Sequence, residues 1–142
     1  MIVVDDHVLL AVLVGRVEAT DAGVGDEDIF TTASWYYRLA RAVQDSSFEG
    51  TLSRRHDALD PETRRAVLGS LEELPAEIGI LSPRVVVPVM AALSQVGRFN
   101  HLHADALATA RVLGAGLRVV ASSDVLRSAC SILNVDLTVA PV

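Results

Sequence analysis

The chain has 142 residues, 51% hydrophobic and 21% charged, with one cysteine, Cys130. That is the size of one domain, apolar enough to bury a core without disulfide or metal staples, which excludes a chain disordered throughout and a disulfide-built scaffold. Twelve basic against 18 acidic residues leave a net charge of −6, which excludes a protein held to nucleic acid by a broad positive surface, though not one that touches it locally.

Residues 1–4 are a β-branched run that reads as a buried strand, ending at Asp5-Asp6. A helix is expected over 7–14. Residues 15–28, rich in Gly and acids, read as a loop or a broken helix, and 29–31 as a second short strand. Thr32 or Ser34 caps a helix running to about Val43, in which Trp35, Leu39 and Ala42 recur at helical spacing with Arg38 and Arg41 between them. The polar stretch 44–59 is expected to be the longest irregular segment, with Arg54-Arg55-His56 as a solvated basic patch. Asp60-Pro61-Glu62 opens a helix to about Leu74, since Asp caps, Pro suits the first helical position and Glu faces the helix dipole. Ser82-Pro83 opens another to about Arg98, which Pro88 kinks or cuts short.

A helix from about Ala104 to Leu113 is closed by Gly114 and Gly116, and 117–121 is a strand. Ser122 or Ser123 caps a helix over 124–133, Asn134 is a left-handed stop, and 135–139 is a last strand at the edge. The alternation predicts a three-layer α/β/α domain with a short, mainly parallel central sheet, spanning 1–142 as one unit. The longest apolar runs, 8–14 and 85–93, fall short of the roughly 20 residues a bilayer span needs. No basic segment precedes the first apolar stretch, so a soluble, cytoplasmic chain is expected.

In open parallel sheets, sites form outside the carboxyl ends of the strands. Asp5 and Asp6 follow the first strand, Asp124 follows 117–121, and Asp105 stands in the first turn of the helix leading there. If the two strands are neighbours, these carboxylates converge. Like charges so placed raise one another's pKa, and a hard Mg²⁺ or Mn²⁺ relieves the repulsion while activating a bound water. Each acid also has a structural reading: Asp5 as a helix cap, the other three as first-turn acids. All 12 basic residues are arginine, guanidinium forks suited to phosphate. Arg38 and Arg41 are therefore candidate phosphate contacts, and His103, in the polar run 101–105, could touch substrate at the rim. Trp35 and one neighbouring Tyr read as core, and Cys130 as a small buried hydrophobe.

The opening MIVVDDHVLLAVL and the stretch HADALATARVLGAGLRVVASSDVLRSACSILNVDL resemble the PIN-domain family, in particular the VapC-type toxin ribonucleases. The resemblance implies metal-dependent RNA cleavage, with Asp5, Asp105 and Asp124 holding Mg²⁺ or Mn²⁺ and a metal-bound water as nucleophile. It also implies homodimers and a cognate antitoxin. Two departures stand out. The family carries a Glu in the helix after the second strand, where TTASWYYRLARAV has no acid, and the late acidic position falls on Ser123, with Asp124 one residue along. The alternative is a degenerate PIN-like protein without nuclease activity, acting as a protein- or RNA-binding module.

Overall fold

A computed structural model describes the chain except for positions 21, 46, 48 and 142. Among the described residues the elements run β1 (Ile2–Val4), α1 (Asp6–Glu18), β2 (Ile29–Thr31), α2 (Ala33–Gln44), α3 (Thr51–Asp57), α4 (Pro61–Glu72), β3 (Ile78–Ile80), α5 (Pro83–Leu93), α6 (His101–Leu113), β4 (Gly116–Val119), α7 (Asp124–Leu133) and β5 (Leu137–Val139). The strands form one sheet in the order β3-β2-β1-β4-β5, every pair parallel. The three-layer α/β/α arrangement expected from the sequence stands, with a sheet wholly rather than mainly parallel.

Side-chain alternation along β1 divides the core. Val3 packs into one apolar cluster with Leu107, Leu117, Leu126 and Leu133, while Ile2 and Val4 face a second with Leu9, Leu13, Leu39 and Val67. The first cluster lies under α5, α6 and α7, the second under α1, α2 and α4, the layering that right-handed crossovers produce. Trp35 of α2 joins the first cluster. Each fully buried Leu contributes roughly 2 kcal/mol of burial. Because β1 has neighbours on both sides, the chain leaves it toward β2 and β3 and later returns to its other side as β4. The crevice between the carboxyl ends of β1 and β4 is therefore the topological switch point.

Several boundaries differ from expectation. α1 continues past 14 through Gly15 to Glu18 and ends on Ala19 in the left-handed region, φ 53°. The stretch 44–59 is not wholly irregular: α3 occupies much of it, seated by buried Leu52, Ser53 and His56, with the Ser53 hydroxyl donating to the Ala42 carbonyl at 2.9 Å. Positions 46 and 48 of that stretch, and 21 of the earlier loop, lie outside the described residues. β3 was not expected. It pairs with β2, and its Gly79 lies against the ring of Phe30. α5 ends at Leu93 rather than near Arg98, with Pro88 inside it. α6 starts three residues before 104, because the Asn100 side chain accepts from the His103 N–H at 2.8 Å. Asp105 consequently sits in the second turn, not the first. No helix among the described residues is long and apolar enough to cross a membrane.

Candidate functional site at the carboxyl edge of the sheet

Asp5 caps α1 from the end of β1. Its Oδ1 accepts from the Val8 N–H and its Oδ2 from the Val120 N–H, both at 2.8 Å. Its own N–H donates to the Arg118 carbonyl at 3.1 Å. The residue thus stitches the ends of β1 and β4 together across the switch point. Burial pushes its carboxyl above the ordinary value and outweighs the two backbone bonds that pull it down; Asp6 pushes the same way as burial.

Asp6, the first residue of α1, is buried. Its Oδ1 accepts from the His7 N–H at 2.9 Å, and its Oδ2 lies 3.2 Å from Arg38 Nε. That contact is an ion pair without hydrogen-bond alignment: among the described residues Oδ2 has no aligned donor. Beside them, His7 Nδ1 lies 3.0 Å from an Arg55 guanidinium nitrogen of α3. An arginine only donates, so His7 accepts at Nδ1 as a neutral ring with its proton on Nε2. Burial pushes the His7 pKa down, the two arginines add to this, and Asp6 and Asp5 oppose it.

Asp105, buried on α6, faces α2 rather than Asp5's helix cap. Its Oδ2 accepts from the Ser34 hydroxyl at 2.6 Å and from the Ser34 N–H at 3.3 Å. Ser34 follows β2 through the α2 cap Thr32, whose hydroxyl oxygen accepts from the Trp35 N–H at 3.0 Å. Asp105 therefore also lies on the carboxyl side of the sheet, lining a cavity of about 190 Å³ with Thr32, Ser34, His101 and Thr109. His103 is not among the residues lining that cavity. Burial holds the His103 pKa below its ordinary value.

Asp124 stands apart in character. Its side chain is 99% exposed and pairs with Arg127 at 3.3 Å, one turn along α7. Ser123 caps that helix by accepting from the Leu126 N–H at 3.2 Å. Among the described residues no three His, Cys, Asp or Glu side chains are grouped so as to hold a metal ion. Of the phosphate candidates, Arg38 is engaged with Asp6, while Arg41 lies in the last turn of α2. Arg55 and His56 are part of α3 rather than a solvated loop, and His56 is buried. Trp35 is core, Tyr36 donates its hydroxyl to the Leu71 carbonyl, and Tyr37 is exposed. Cys130 is buried, which pushes its thiol up.

Sequence reasoning missed the cluster of Asp6, His7, Arg38 and Arg55. Nothing in the local pattern links positions 7 and 55; only the packing of α3 onto α2, and of α2 onto α1, brings them together. No family model matches this sequence, and no curated protein matches it.

Proposed function

We propose that this chain is a PIN-like domain that works by binding a partner, without metal-dependent cleavage of RNA. The observation that supports this is the engagement of the carboxylates. A carboxylate that already accepts hydrogen bonds offers Mg²⁺ or Mn²⁺ only its remaining lone pairs, in an orientation those bonds have fixed. Asp5 spends one oxygen on Val8 and the other on Val120. Asp105 accepts twice from Ser34, and Asp124 is solvent-exposed and paired with Arg127. These residues do not fit the three-carboxylate centre that the resemblance implies. A net charge of −6 favours a protein partner over RNA. Exposed Val125 and Ile132 on α7, beside a shallow groove that Val96 and Phe99 also line, are the kind of surface such a partner covers.

The second reading, a Mg²⁺- or Mn²⁺-dependent ribonuclease of the PIN type, draws on one observation: Asp5 and Asp105 both stand on the carboxyl side of a parallel sheet. Incubating the purified chain with mixed single-stranded and structured RNA, with either metal, separates the two. The expected result is no cleavage beyond that of an Asp5→Asn/Asp105→Asn double variant. Metal-dependent cleavage that disappears in the double variant would replace the binding reading with the nuclease one.

A further inference from the structure

We propose that Arg38 acts as a built-in counter-cation for Asp6, beside the second carboxylate Asp5, and that it closes the end of β1 to a divalent ion. The inference rests on the binding reading above and explains how this edge does without a metal.

Two adjacent buried carboxylates at the end of the central strand repel each other and need a positive charge nearby. Helix α2 supplies it. Arg38 of α2 places Nε 3.2 Å from Asp6 Oδ2. Arg55 of α3 reaches the same corner but is spent on His7, whose Nδ1 lies 3.0 Å from its guanidinium. Three of the four carboxylate oxygens already accept backbone N–H groups: both of Asp5, and Oδ1 of Asp6. The fourth, Asp6 Oδ2, belongs to a side chain only 3% exposed and among the described residues has no aligned donor. It is a buried acceptor with spare lone pairs, and the guanidinium that neutralises it sits off the hydrogen-bonding axis. A guanidinium at that distance excludes a cation from the same oxygen by both charge and volume. A hard divalent ion needs only one or two carboxylates with water on its other positions, so losing Arg38 alone would leave Asp6 Oδ2 available as an anchor.

The test is Mn²⁺ binding to the full chain, read by the electron-spin-resonance signal of free Mn²⁺ and by thermal unfolding. The wild type is expected to leave the signal unchanged at millimolar Mn²⁺ and to unfold at the same temperature with and without it. Arg38→Met should melt lower in metal-free buffer, recover with Mn²⁺, and bind the ion at least about tenfold more tightly than wild type. An added Asp6→Asn change should abolish that response. Arg38→Gln, which removes the charge but keeps a donor for the buried oxygen, is the milder variant if Arg38→Met does not fold. Either of two results overturns the inference: wild-type Mn²⁺ binding that Asp6→Asn removes, or a folded Arg38 variant indifferent to Mn²⁺. RNA cleavage is scored separately. Metal-dependent cleavage by a wild type whose Mn²⁺ response Asp6→Asn leaves unchanged would sink the binding reading alone. Mn²⁺ uptake through Asp6 without cleavage would sink this inference alone.

Discussion

Asp5 and His7 are neighbours whose protonation pulls stability in opposite directions. Asp5 is held above its ordinary pKa chiefly by burial. Its contribution is full below the unfolded value of about 4 and is lost as pH rises through the folded value. His7 is held below its ordinary pKa, again chiefly by burial. Its contribution is full above about pH 6.5 and is lost as pH falls through the folded value. Asp5→Asn keeps one acceptor oxygen for two N–H groups, those of Val8 and Val120. It should cost about 1–3 kcal/mol in urea unfolding at neutral pH, the usual penalty for a buried donor left unpaired. The deficit relative to wild type should narrow as pH is raised above about 4. His7→Gln cannot charge, so its unfolding midpoint should fall less than that of wild type between about pH 7 and 5. An equal fall in both proteins would show that His7 is not the group responsible.

Two elements carry their own tests. In β3, Gly79 leaves the space that the ring of Phe30 from the neighbouring strand occupies: a Cβ at Gly79 would stand 2.3 Å from the ring. Gly79→Ala should therefore destabilise by about 1–3 kcal/mol through overpacking, although alanine is the better residue for backbone entropy alone. A stabilised variant, read by the denaturant midpoint, would mean that the ring moves freely. α5 continues through Pro88, which has no N–H to give the carbonyl of Arg84. Pro88→Ala restores that donor on an exposed face and should raise stability by about 1 kcal/mol, up to the roughly 3 kcal/mol cost of an interior proline. α5 was expected to reach about Arg98. It stops at Leu93 in a cap in which the Ser94 hydroxyl donates to the Ala91 carbonyl at 2.7 Å.

At the scale of the whole molecule, two apolar clusters share one five-stranded sheet, and neither is closed without it. Leu13 on α1 belongs to one cluster and Leu107 on α6 to the other, and both are completely buried. Leu13→Ala and Leu107→Ala should each cost about 2–5 kcal/mol, as lost burial plus a residual cavity. Because β1 is buried on both faces, each variant should still unfold in a single transition with an unchanged denaturant slope. Two separate transitions would mean that the layers fold independently.

Local chemistry was enough to read most of the elements from the sequence. Thr32, Asp60, Ser82 and Ser123 each cap the helix that follows them, and Gly114 and Asn134 each end one in the left-handed region. Caps and stops act over three or four residues, so their signals survive in one dimension. The alternation of strands and helices was likewise enough for the layered parallel architecture. β3 and α3 were not legible, because a three-residue strand around a glycine and a two-turn helix in a polar stretch owe their existence to Phe30, Ala42 and their other tertiary neighbours. The candidate site divides in the same way. That Asp5 would stand at the end of the central strand could be read from its place after a β-branched run. That its two oxygens would be taken by Val8 and Val120, that Ser34 would hold Asp105, and that Arg38 would answer Asp6 depended on groups up to 115 residues apart meeting at one edge. Which partner a carboxylate finds is settled by distance in space, and only the folded chain sets that distance.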